Sequence, residues 1–332
     1  MLEVFSHDRQ TNWEMRKLYP SIEPIEVDHL EMAGGHQIYV ELCGKKDGIP
    51  VIFLHGGPGG GCKPDHRRFF DSDIYQIILF DQRGSGRSTP LGGTENNSTD
   101  LLVSDMEAIR KHYRIESWLI FAGSWGSALG LLYAESFPER VLGLILRASF
   151  LARQCDLDWF AGDDGVSKIL PREWRDFGKA IDFKSASSQE VVSHLHDMLN
   201  SSDEKIVMEA ALAWEKWSGA VVSYSFENSF DSLSGTTEST IVKAKIELHY
   251  AVNKYFLEPD QLLRDIAKVP EVPVKLIHGG RDMTCLPDSS WLLHCLIPNS
   301  KLEIIRTAGH LSSEEKMIDA LVRATTDIAK EL

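Results

Sequence analysis

The stretch Ala122-Gly123-Ser124-Trp125-Gly126 sets one hydroxyl among small residues. It lies between an apolar run, WLIF (118–121), and a segment of helical character, SALGLLYAESF (127–137). Strand, cramped turn and helix in that order is the setting in which a serine is held out as a nucleophile, in the pattern G-x-S-x-G. The small neighbours have a steric reason, since larger side chains would strike the adjacent strand or helix. Ala122 stands at the first glycine position and is one methyl larger. The plainer alternative is a serine that merely caps a helix. A hydroxyl attacks well only when a base removes its proton and a third group orients that base.

In this topology the chain order is serine, acid, histidine. Six histidines lie downstream of Ser124: His194, His196, His249, His278, His294 and His310. The first three fall in helical stretches. His278 ends an apolar run and reads as a buried, hydrogen-bonded side chain. His294 sits in the helical SSWLLHCL. His310 directly follows the last strand-like run, in RTAGHLSSEE (306–315), beside Gly309. Loops at strand ends carry reactive groups, so His310 is the expected base. Asp282 leaves the preceding run in the same way, in VKLIHGGRDMTCLP (274–287), and is the expected acid. Asp288 is the nearest competitor and reads as a helix N-cap after Pro287. Glu314 and Glu315 read as first-turn helix acids.

Acyl transfer needs donors for a developing oxyanion. The run PVIFLH (50–55) enters GGPGGGC (56–62), where backbone N–H groups can approach a ligand closely. The N–H of Trp125 is the expected second donor. A dinucleotide loop fails here because its third glycine falls on Cys62. A phosphate loop fails because the nearby lysine, Lys63, comes after that cysteine. His55 stands before the glycines and is expected to brace them. In DQRGSGRS (81–88), Asp81 and Arg83 are expected to form structural ion pairing.

Seven short runs read as the strands that hold these groups: 36–43, 50–55, 75–81, 118–123, 141–147, 274–279 and 301–307. Helical patterns such as VSDMEAIRKHYR (103–114) separate several of them. Continuous apolar strands alternating with helices imply a mostly parallel sheet covered on both faces. Between 152 and 268 the strands vanish. Helical stretches at 172–181, 188–199, 204–217 and 239–256 replace them, interrupted by a Ser-rich loop (223–240). We read 1–151 as the first part of an α/β core, 152–268 as an inserted helical cap, and 269–332 as the second part of the core. A cap inserted there would cover the carboxyl ends of the strands, where open α/β sheets bind ligands.

The 332 residues carry a formal charge of −14, which argues against nucleic acid or an anionic membrane as partner. Five scattered cysteines contain no CxxC pair, so no metal site is expected, and a reducing compartment fits. The N-terminus lacks a basic segment followed by an apolar core. No uncharged apolar run reaches the roughly 18 residues of a membrane helix. The expectation is a cytoplasmic enzyme with a small substrate and no metal or cofactor.

The series HGGPGGG (55–61), FDQRGSGRSTP (80–90), GSWGSALGLLYAESFPERV (123–141), HGGRDMTCLP (278–287) and AGH (308–310) resembles the proline iminopeptidases, prolyl aminopeptidases of the α/β-hydrolase fold. The likeness extends to LYPSIEP (18–24), ENNSTDLLVSDMEAIR (95–110) and LDWF (157–160). It implies a serine exopeptidase that releases an N-terminal residue, usually proline, without a metal. It implies the triad Ser124, Asp282 and His310, with Gly57 and Trp125 as the oxyanion hole. It also implies that carboxylates of the cap hold the substrate's free amine. Glu247, in KIELHY (245–250), matches one of them. The other is expected in a Trp-x-x-Trp-Glu-Gly helix, and here the stretch reads Trp214-Glu215-Lys216-Trp217-Ser218-Gly219. Ser218 replaces that glutamate. This opens an alternative, an esterase or amidase with a relaxed need for a free amine. Glu215, three residues earlier, is a second candidate anchor, although a solvated surface acid is the plainer reading. Trp159, Phe160, Trp214, Trp217 and Tyr250 read equally well as pocket lining or as helix–helix core. Cys62 and Cys285 read as packing residues.

Overall fold

A computed structural model describes residues 15–183, 187–225 and 236–332. The N-terminal segment read for a targeting signal, residues 1–14, and the middle of the Ser-rich loop lie outside the described residues.

Each strand alternates its side chains between two faces, and here both faces are apolar. Ile52 and Leu54 join a buried cluster with Leu102, Met106 and Leu131. Their neighbours Val51 and Phe53 join the opposite cluster, with Met317 and Leu321. Burying one such side chain contributes about 1.5–3 kcal/mol, so strands of this pattern are stable only between two helical layers. The sheet has eight strands: β1 (Glu26–Met32), β2 (His36–Gly44), β3 (Ile49–Leu54), β4 (Tyr75–Phe80), β5 (Trp118–Gly123), β6 (Val141–Arg147), β7 (Val274–Gly279) and β8 (Lys301–Ile305). Their order is β1-β2-β4-β3-β5-β6-β7-β8. The β1–β2 and β2–β4 pairs are antiparallel. All later pairs are parallel.

The expected strands at 118–123, 141–147 and 274–279 match β5, β6 and β7 residue for residue. β1 was not expected. It is an edge strand, EVDHLEM, with four of its seven residues exposed and none fully buried, so it lacks an apolar run. Its signal is the following Ala33-Gly34-Gly35, where both glycines take positive φ and turn the chain into β2.

The helices are α1 (Thr99–His112), α2 (Trp125–Ser136), α3 (Gln154–Ala161), α4 (Pro171–Ala180), α5 (Ser188–Leu199), α6 (Glu204–Val222), α7 (Thr237–Val252), the short α8 (Gln261–Arg264), α9 (Pro287–Leu296) and α10 (Glu315–Ile328). Helices α3 to α7 lie between β6 and β7 and enclose a separate apolar cluster that includes Leu195, Ala210, Trp217 and Leu248. Among the described residues, bonds that tie these helices to the sheet layer include Tyr250 Oη to Asn97 Oδ1 at 2.7 Å, His249 Nε2 to the Asn97 carbonyl at 2.8 Å, and Trp159 Nε1 to the Met283 carbonyl at 2.8 Å. Helix α3 was missed because Arg153 occupies its N-cap, a place where Ser, Thr, Asp or Asn normally mark a helix start.

Two local expectations are corrected. Arg83 pairs with Asp105, at 2.6 and 2.7 Å, whereas Asp81 pairs with Arg87 at 2.8 Å. The N-cap of α9 is Leu286, and Asp288 lies inside its first turn. Among the described residues no helix is long and apolar enough to cross a membrane.

Candidate active site

Ser124 connects β5 to α2 with φ 56° and ψ −127°. A non-glycine residue there stores on the order of 1–3 kcal/mol of strain. The turn is fixed through the backbone. Ser124 N–H donates to the Arg147 carbonyl at 3.0 Å, and its own carbonyl accepts Ser127 N–H at 2.9 Å and Ser127 Oγ at 2.6 Å. The Ser124 side chain makes no capping hydrogen bond, so it is not spent on the helix end. At Gly126 a Cβ would collide with the Leu54 carbonyl of β3, which is why a glycine follows the serine so closely.

Asp282 follows β7 and is buried. Its Oδ1 accepts the N–H of Thr284 at 2.9 Å and of Cys285 at 3.0 Å. Its Oδ2 takes His310 Nδ1–H at 2.8 Å, with His278 Nε2 at 3.5 Å. Burial pushes this carboxyl up, but the charge on His310 and the hydrogen bonds from His278 and His310 outweigh it and hold it well below the usual carboxylate range. His278 is the buried, bonded histidine expected, held by Ser290 Oγ at 2.7 Å and the Cys285 carbonyl at 2.8 Å. The loop carrying His310 is pinned twice. The Arg147 guanidinium donates to the His310 carbonyl, and the Glu314 carboxylate accepts Gly309 N–H at 2.9 Å. Glu314 is thus the residue just before α10, not a first-turn acid, and its charge orders the histidine loop.

Ser124 and His310 border one cavity of about 470 Å³. Among the described residues the hydrogen-bond contact of Ser124 Oγ is Cys285 Sγ, at 3.9 Å, not the imidazole. Such pairs are often loose without substrate and tighten when it binds. Burial and the neighbouring Asp282 carboxylate raise the Cys285 thiol well above its ordinary pKa, so it stays protonated and is a poor nucleophile. Gly57 and Trp125 border the same cavity. Gly57 has φ 117°, a conformation that glycine adopts freely. His55 braces this loop as expected. Its Nδ1 bonds the Gly56 carbonyl at 2.9 Å, and its Nε2 accepts Gln82 N–H at 3.0 Å. Burial lowers the His55 pKa and keeps it neutral. Gln82 also accepts Trp125 Nε1–H at 2.9 Å and so ties the glycine loop to α2.

Helices α3, α6 and α7 close the other side of the cavity. Glu247 lines it, and its Oε2 accepts Trp214 Nε1–H at 2.6 Å. Glu215 also lines it and pairs with Lys243 at 2.9 Å. The surface-acid reading of Glu215 is therefore corrected, because α6 turns that face inward. Ser218 lines the cavity too, with its hydroxyl donating to the Glu215 carbonyl at 3.3 Å. The aromatics divide. Phe160 and Trp214 border the cavity, while Trp217 packs on Phe177 and Trp174. Tyr250 packs edge-on against Trp125. Cys62 is a packing thiol, bonded to the Phe80 carbonyl at 3.2 Å, whereas Cys285 is part of the cavity wall. Lys243, Gln82 and Arg147 were not singled out from the sequence. Only Lys243 left a signal there, its spacing of four residues from Glu247.

A family model described as the alpha/beta hydrolase fold matches residues 49–317. A proline iminopeptidase of Xylella fastidiosa strain Temecula1 is 41% identical over 94% of this chain and 99% of its own length. One from Arabidopsis thaliana is 41% identical over 96% of this chain and 83% of its own length. The chain belongs to the proline iminopeptidase family. Solved structures with the same fold include a bromoperoxidase from Bacillus anthracis, at TM-score 0.61 and 17% identity, covering 92% of this chain and 99% of that one. A proline iminopeptidase from Mycobacterium smegmatis gives TM-score 0.56 at 17% identity, covering 92% and 99%. At that identity these two speak to the fold alone. As a member of the proline iminopeptidase family the chain has one notable wall residue, Ser218, which is neutral.

Proposed function

We propose that this protein is a serine aminopeptidase that releases one N-terminal residue, proline by preference, from short peptides or aminoacyl amides. The observation that carries the reading is a single cavity with a hydroxyl and an imidazole on its sheet side and carboxylates on its cap side. In this reading residues 152–268 form the substrate-selecting cap, and 1–151 with 269–332 form the hydrolytic core.

Ser124 Oγ turns from Cys285 toward His310 and attacks the scissile carbonyl as His310 Nε2 takes its proton. Asp282 fixes the imidazole with its proton on Nδ1 and stabilises the imidazolium. The N–H groups of Gly57 and Trp125 hold the oxyanion. His310 returns the proton to the departing amine, and water then cleaves the acyl-enzyme by the reverse route. Glu247, mostly buried in the cavity wall, takes the substrate's ammonium, so acylated termini are refused. The chemistry needs no metal or cofactor, and a cytoplasmic setting suits the free thiols.

The test is a rate comparison between proline amide and N-acetylproline amide. The free amine should be cleaved and the acetylated amide left intact. Equal rates would favour the esterase or amidase alternative that Ser218 raises. Glu247→Gln should cut kcat/KM for proline amide by about a hundredfold and leave hydrolysis of a simple aryl ester little changed. Unaltered selectivity would remove Glu247 from the amine subsite.

A further inference from the structure

Helices α6 and α7 bring three charged groups to the cavity wall, Glu215, Lys243 and Glu247, and one of them is a cation. Lys243 stands one helical turn before Glu247 on α7. Its Nζ is 2.9 Å from Glu215 Oε2 on α6 and 4.0 Å from Glu247 Oε1. The carboxylates are mostly buried, with side chains 18% and 13% exposed, whereas the lysine is 35% exposed. Glu247 already gives Oε2 to the Trp214 indole, which leaves Oε1 for another partner. Of the other charged residues at the wall, Asp156 is engaged by Arg153 at 2.6 Å, and Lys63 lies on the glycine-loop side.

We propose that Lys243 determines how strongly this subsite holds a free amine, by acting as a built-in counter-ion that neutralises Glu215 and leaves Glu247 to take the substrate's ammonium. This rests on the aminopeptidase reading. Two carboxylates facing one cavity repel each other, and two ammonium groups are needed to balance them. Lys243 is one, and the substrate supplies the other. Glu247 is the largest influence raising the lysine's pKa, followed by Glu215 against the opposing effect of burial, so the side chain is held charged. The arrangement belongs to this chain's own set of residues, with a neutral hydroxyl at Ser218 and a carboxylate at Glu215.

The geometry gives opposite effects for the two sides of the pair. Lys243→Met leaves two unbalanced carboxylates, so KM for proline amide should fall about tenfold with kcat little changed. Glu215→Gln frees the lysine to neutralise Glu247, so KM for proline amide should rise about tenfold. In the double variant, Lys243→Met with Glu215→Gln, one carboxylate remains and KM should return toward the wild-type value, a coupling that independent structural damage would not produce. Melting temperatures near the wild-type value report that each variant is folded. If proline amide is preferred over N-acetylproline amide by the wild-type protein but KM stays put or rises in Lys243→Met, the counter-ion role is wrong and the aminopeptidase reading stands. If the wild-type protein does not distinguish the two amides, the aminopeptidase reading fails and takes the counter-ion role with it.

Discussion

Ser124→Ala is expected to lower kcat for proline amide by about a millionfold, while the variant still binds the substrate with unchanged affinity by calorimetry. The effect is large because base and acid have no second nucleophile to activate. Cys285 Sγ lies 3.9 Å from the hydroxyl, but its thiol is kept protonated by burial and by Asp282. Retained turnover in Ser124→Ala would shift the nucleophile elsewhere. The fold should be indifferent to this change, because the turn is held by main-chain bonds from Ser124 to Arg147 and Ser127. Ser124→Gly, equally inactive, should be the more stable of the two by about 1 kcal/mol, since φ 56° strains alanine and not glycine. Thermal unfolding of the two variants side by side checks this.

Asp282→Asn is expected to lower kcat by about ten-thousandfold, with KM near the wild-type value. The carboxylate accepts hydrogen bonds from Thr284 N, Cys285 N and His310 Nδ1, with His278 Nε2 at 3.5 Å. An asparagine keeps the first two through its single oxygen and turns its NH2 toward the imidazole. The imidazole then carries its proton on Nε2 and cannot accept one from Ser124. The same substitution alters acid stability. The folded carboxyl titrates below its ordinary value, and the unfolded one near 3.9. The interaction therefore stabilises the fold above that unfolded value and is lost as pH falls through the folded one. Asp282→Asn should flatten this part of a melting-temperature profile taken from pH 6 downward. An activity loss under tenfold would contradict the orienting role of Asp282.

The sequence was enough to place the candidate triad near strand ends because that placement depends on local order. Ser124 follows β5 directly, and Asp282 and His310 come within a short loop of β7 and β8; two of those strands, β5 and β7, have ends that apolar residues define sharply. The sheet edge and the helices between β6 and β7 were less legible. β1 is mostly exposed, so no apolar run announces it, and Arg153 gives α3 an unusual start. Glu215 was read as a surface acid because helical periodicity places a residue on a face without saying what that face meets. Its partner, Lys243, belongs to another helix, 28 residues away in the chain. Arg83 was joined to the nearest acid in sequence, yet the fold supplies Asp105 from α1 instead. In each case the missing information is tertiary contact between distant segments.

The most direct measurement is the mass of the protein after treatment with a fluorophosphonate, followed by peptide mapping. Ser124, activated by His310, should take up one phosphonyl group with loss of fluoride, and the label should fall on the peptide containing Ala122 to Gly126 and be absent in Asp282→Asn at the same exposure. A protein that stays unlabelled, or that carries the group on Cys285, would contradict the account.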